Sequence, residues 1–205
     1  MNTLKAVHER TRRLTVLALL SALVVVLTMV CTVIKFGPFS ITLALTPIIL
    51  GAALYGPSAG ALLGFVFSLV VYVTGLFSWD GGFILLMMNY SAVGTTFICL
   101  FKGTMAGLVA GLVFKLLNKH SPFAATVTAS VTAPIVNTGL FALAMMSIFY
   151  GFLSGNATDG QSPIGMLFLS WIGINFIVEF VTNVALSGVL LRVIDYYRKK
   201  NGKNA

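Results

Sequence analysis

Residues 14–34 read LTVLALLSALVVVLTMVCTVI, a run without a single charged side chain. Roughly 18 or more consecutive apolar residues suffice to carry a helix across the hydrocarbon core of a bilayer. The run is too long for the core of a secretory signal, and no small-residue cleavage site follows it. The chain as a whole agrees. Of its 205 residues 58% are hydrophobic and only 9% are Asp, Glu, Lys or Arg, against about 25% charged in a soluble domain. The protein therefore reads as polytopic and membrane-embedded.

The net charge of +8 points to membrane topology rather than to nucleic acid. Its basic residues stand at the ends of apolar runs and do not alternate with aromatics on a polar face. Six spans are expected, at about 14–34, 41–55, 57–77, 103–117, 122–152 and 164–194. The second is short and holds Pro47, so it is expected to kink or to cross only in part. Gly56-Pro57 marks a tight reversal that places proline at the first position of the next helix. The fifth is too long for one crossing and must tilt or rise above the membrane.

Residues 83–101, FILLMMNYSAVGTTFICLF, are apolar enough for a seventh span. Six spans with an inner N-terminus place 11 of the 13 basic residues on the cytoplasmic side, leaving Lys35 and Lys102 outside with Asp80 and Asp159. A seventh span would put one of the two basic termini on the wrong side. The expectation is thus an all-α membrane protein, a six-transmembrane-helix bundle with both termini cytoplasmic. Its parts are a basic N-terminus (1–13), a transmembrane substrate-binding domain (14–194) and a basic tail (195–205). Residues 78–101 become a long outer loop between helices 3 and 4 that folds over the bundle as a lid, because irregular backbone at that depth needs protein cover.

Glycine recurs every four residues at Gly56, Gly60 and Gly64, and again at Gly103, Gly107 and Gly111. Such spacing lets helix backbones approach closely in lipid. Ala18 and Ala22 form a similar pair in the first span, suited either to internal packing or to docking a partner helix. Cys31 and Cys99 make no disulfide framework or metal cluster. Buried free thiols are expected, with a single bridge left open by their shared nearness to the outer surface.

Polar residues inside the spans mark the candidate site. Asn175, Glu179 and Asn183 are spaced i, i+4, i+8 and share one helix face, which Trp171 extends by a turn. A carboxyl in the membrane interior faces a bundle core or a cavity. Asn137 and Thr138 form a second polar step beyond Pro134. Asn89 and Tyr90 lie mid-lid, and Trp79-Asp80 open it. Either these groups satisfy one another between helices or they face a wet pocket; for Glu179 the pocket is the reading adopted. Catalysis finds no support: His8 and His120 flank the spans, and there is no HExxH motif, Cys/His pair or phosphate loop. The sequon Asn156-Ala-Thr158 is too short a motif to act on.

Taken together, the layout, the Ala18/Ala22 pair, the Gly56-Pro57…Gly60…Gly64 reversal, Lys102-Gly103, Val136-Asn137-Thr138 and Asn175…Glu179 resemble the substrate-binding S components of energy-coupling factor (ECF) transporters. The resemblance covers residues from about 10 to 200. It implies a prokaryotic plasma-membrane protein that binds a vitamin or similar micronutrient near its outer face and uses no cofactor. It implies as partners a transmembrane coupling subunit, reached through Ala18 and Ala22, and two cytoplasmic ATPases. The substrate site expected is Trp79, Asn89, Tyr90, Asn137, Trp171, Asn175 and Glu179. Among pantothenate-, riboflavin- and folate-type cargo the sequence does not choose. In a deep pocket without a basic residue, only Lys35 and Lys102 at the outer edge could pair with an anionic group, and a neutral or hydroxyl-rich ligand stacked on Trp79, Tyr90 or Trp171 fits at least as well. The alternative from another class is a self-sufficient proton-coupled carrier using Glu179, against which stands the lack of an inverted repeat.

Overall fold

The computed structural model describes residues 2–32, 35–36, 39–40, 42–157 and 160–200. Its elements are α1 (Asn2–Cys31), the strands β1 (Lys35–Phe36) and β2 (Phe39–Ser40), and α2 (Leu45–Tyr55). There follow α3 (Pro57–Leu76), α4 (Phe83–Tyr90), α5 (Ala92–Leu117), α6 (Pro122–Ser147) and α7 (Tyr150–Gly155). A single turn, α8 (Pro163–Gly165), runs through a π-helical stretch (Met166–Ile172) into α9 (Gly173–Lys200). Among the described residues five helices are long and apolar enough to cross a membrane: Val7–Cys31, Pro57–Leu76, Ala92–Leu117, Pro122–Ser147 and Pro163–Lys200. At 11 residues, α2 is about 16 Å long, roughly half the hydrocarbon thickness. β1 and β2 pair antiparallel, Lys35 opposite Ser40, in a two-stranded ribbon ahead of it.

The expected long loop over residues 78–101 is not there. Ser91 ends α4 and caps α5, its hydroxyl accepting the Gly94 N–H at 3.2 Å. The helix expected from Gly103 therefore begins at Ala92, and Lys102 sits inside it rather than at its outer end. Charge counting placed Lys102 outside because basic residues usually mark span ends. A lysine kept inside a helix defeats that rule. What remains between α3 and α4 is a glycine-rich turn, in which Gly81 and Gly82 have φ of 88° and 86°. Asp80 closes it by accepting the N–H groups of Gly82 and Ile84 at 2.9 and 2.8 Å, and so caps α4.

Other boundaries also move. α1 starts at Asn2, within the segment expected to be a separate basic terminus, and α9 continues to Lys200. The fifth span ends at Ser147, and its surplus becomes α7. Ile34 and Ile41, the expected span ends on either side of the ribbon, lie outside the described residues, as do Thr158 of the sequon, Asp159 and Lys203.

Glycine sets the central helix pair. A Cβ on Gly60 would run into the Gly107 carbonyl oxygen, one on Gly64 into that of Gly103, and one on Gly111 would come within 2.7 Å of Pro57 Cα. α3 and α5 thus touch backbone to backbone at Gly60–Gly107, Gly64–Gly103 and Pro57–Gly111, where dispersion holds helices together in lipid. One core cluster gathers Leu17, Leu20, Val24, Leu45, Ile48, Leu63, Leu190 and Ile194 from α1, α2, α3 and α9. A second gathers Phe83, Met87, Phe141, Met145, Phe149 and Leu167 beneath α4.

The turn of α1 that holds Arg12 and the last turns of α9 meet at one end of the bundle. The Arg12 guanidinium lies 4.7 Å from the Tyr197 ring centroid, the Tyr55 and Tyr197 hydroxyls are hydrogen-bonded, and Arg198 donates to Asn118 Oδ1 at 2.9 Å. Cys31 and Cys99 are both free and buried.

Candidate binding site

A cavity of about 100 Å³ opens at the end of the bundle opposite Arg12 and Arg198. α4 roofs it with Phe83, Ile84 and Met87. Its walls come from Thr28 of α1, Phe67, Val71 and Thr74 of α3, Cys99 and Lys102 of α5, Asn137, Thr138 and Phe141 of α6, and Ile172 and Asn175 of the last span. Asp80, the α4 cap, stands at its rim. Most of the lining is hydrocarbon and aromatic, with a few polar groups converging on it, as small-molecule sites usually are.

Two of those polar groups are unfinished. Asn137 is only 6% exposed, and its Oδ1, like that of Asn175, is buried without a hydrogen-bond partner. A buried amide oxygen left unpaired costs about 1–3 kcal/mol, so both are groups prepared to accept from something in the cavity. Thr28 and Thr74 differ, because their hydroxyls are already committed. Thr28 donates to the Val24 carbonyl at 2.6 Å and Thr74 to that of Val70 at 2.9 Å.

The Asn175–Glu179–Asn183 stripe divides into three roles. Asn175, nearest the cavity, lines it. Glu179 is fully buried behind the wall, at 0% exposure, and does not line the cavity. Lys102 and Thr138 are the polar side chains near enough to act on its carboxyl group. Asn183 fastens helices. Its Nδ2 donates to the Glu179 carbonyl at 2.8 Å, and its Oδ1 accepts from the Thr46 hydroxyl at 3.2 Å, tying α2 to α9.

The expected aromatic platform is absent from the cavity wall. Trp79 is 51% exposed and Tyr90 49%, and Asn89 also faces outward. Trp171 is half-buried one layer behind, edge-on to Phe83 with centroids 5.3 Å apart, and 6.3 Å from Phe152. Tyr90 packs against Phe149 and Phe152, both at 5.9 Å. Such pairs add about 0.5–1.5 kcal/mol each beyond burial, so these rings staple α4 to α7 and the π-helical stretch. The rings that do face the cavity are Phe67, Phe83 and Phe141.

The largest departure concerns charge. The site was expected to hold no basic residue, but Lys102 is in the wall, its ammonium 5.1 Å from the Phe141 ring centroid. Ser91 was the sequence signal that could have found it, since a serine cap before an apolar run moves the helix start upstream of Lys102. No comparable signal marks Met87 or Thr74.

Ala18 and Ala22 are exposed on α1, whereas Leu17, Leu20 and Val24 turn inward. The alanine pair is thus not used for packing within the chain. Leu19, Leu23 and Val26 share its outward side.

Comparison with curated proteins finds no match. The family model described as the ECF transporter, substrate-specific component, matches residues 12–194, nearly the whole membrane bundle, and the chain belongs to that family.

Proposed function

We propose that this chain is the high-affinity binding subunit for a water-soluble vitamin or related micronutrient, working with a transmembrane coupling subunit and two cytoplasmic ATPases for uptake. The observation that carries the reading is a roofed cavity within a membrane bundle whose wall includes Asn137 and Asn175, two residues with amide oxygens that have no hydrogen-bond partner. A group left unsatisfied in a dry interior awaits a ligand that completes it.

The end holding Arg12, Asn118 and Arg198 is then cytoplasmic, by the positive-inside preference, and the cavity opens outward. α2 with the ribbon before it makes the sixth, incomplete crossing. The exposed Ala18/Ala22 surface of α1 is the docking face for the coupling subunit, where small residues permit close approach. The setting is the plasma membrane of a prokaryote.

Uptake of labelled vitamin by cells carrying the chain together with its coupling subunit tests this. Uptake should vanish when the two ATPases are inactivated. Uptake by the chain alone, driven by a proton gradient, would instead make Glu179 the proton site of a self-sufficient carrier.

A further inference from the structure

Resting on the reading of this chain as a vitamin-binding subunit, the chemistry of the cavity narrows the cargo. Lys102 is the one cation in the wall among the described residues. A lysine in a membrane interior is costly to bury and normally faces a partner or a pathway. Among the described residues Lys102 forms no ion pair. Its contact with the Phe141 ring offsets the loss of water only in part. Asp80 shares the cavity, but its two oxygens already accept backbone N–H groups of the α4 cap. Glu179 is fully buried behind the wall and does not line the cavity.

We propose that the cargo is a small organic monocarboxylate, its charge paired with Lys102 and its hydroxyl or amide N–H donors meeting the amide oxygens of Asn137 and Asn175. Those oxygens can only accept, so the uncharged part of the cargo must donate. A single ammonium is a compact point charge without the planar fork that grips phosphate in a bidentate fashion. A second negative charge would meet Asp80 with no cation to offset it. These two facts select a carboxylate over a phosphate and a monoanion over a dianion. The remaining lining, Phe67, Met87 and Ile172 among it, suits a short apolar backbone.

The test uses matched probes that differ only at the acid: pantothenate against pantothenol, and biotin against biotin amide. Each is titrated into the purified full chain by calorimetry. One carboxylate should bind, with its neutral counterpart weaker by about 100-fold, the size expected of a charged hydrogen bond. Lys102→Met should erase that difference, and Lys102→Arg should restore part of it. Equal binding of both members of a pair overturns the proposal while leaving the subunit reading intact, and this measurement on the unmodified chain does not depend on the variants folding. Binding of none of these probes, nor of any other water-soluble vitamin, removes the subunit reading itself and the proposal with it.

Discussion

Gly60 and Gly107 face each other across the α3–α5 contact so closely that a Cβ on either would strike the other's carbonyl oxygen. Neither backbone can retreat as a flexible side chain would. Gly107→Ala should therefore lower stability in detergent by about 1–3 kcal/mol, the usual cost of overpacking. Gly139→Ala is the control, since a Cβ there meets nothing within 4 Å. Thermal unfolding of the two variants checks this, and equal melting temperatures would mean that the helices are not held at backbone contact.

Asn137→Ala and Asn175→Ala should each weaken ligand binding by about tenfold, the worth of one hydrogen bond, without destabilising the empty protein. The amide oxygens they remove have no partner to lose. Asn183→Ala should do the reverse. It cuts the link from Thr46 to α9, costing about 0.6 kcal/mol if typical of membrane hydrogen bonds, and should leave affinity nearly unchanged. Calorimetry and melting on the three variants separate the two roles.

That division shows what the sequence could and could not reveal. The i, i+4, i+8 stripe was legible because helical periodicity survives in lipid, and it identified a polar helix face. Which member meets the cavity depends on depth, because Asn175, Glu179 and Asn183 lie at successive levels along α9. Trp171 was expected to extend the same face, but it lies in the π-helical stretch Met166–Ile172, whose extra residue per turn shifts the angular register. Nothing in the local sequence announces that change. Lys102 was misplaced for a different reason, a positional statistic about span ends outweighing the Ser91 cap. The glycines from Gly60 to Gly64 and from Gly103 to Gly111 were the most legible feature, since steric demand for a missing Cβ leaves no alternative residue there, whereas Gly56 is set by its φ of 91°.

Trp171→Ala should loosen the roof over the cavity. Its ring supports Phe83 from outside, so the ligand should leave faster, by about two- to thirteenfold if the pair contributes about 0.5–1.5 kcal/mol. Trp79→Ala, at an exposed ring that lines nothing, should not change the dissociation rate. Stopped-flow displacement of bound ligand distinguishes them.

Ala18→Leu combined with Ala22→Leu should abolish uptake by the complete transporter while leaving ligand affinity of the isolated chain within about twofold, a margin below 0.5 kcal/mol. Both positions face away from the bundle, so bulk added there blocks only the approach of another helix. Lost binding in the double variant would assign the pair to internal structure.

The central claim is that this chain by itself holds its cargo. The most direct measurement is calorimetric titration of the purified chain, stripped of co-purified ligand and free of any coupling subunit, against the water-soluble vitamins. The account predicts nanomolar affinity for one of them at one site per chain, lost on Asn137→Ala with Asn175→Ala. Binding that requires the coupling subunit, or no binding to any vitamin, would contradict it.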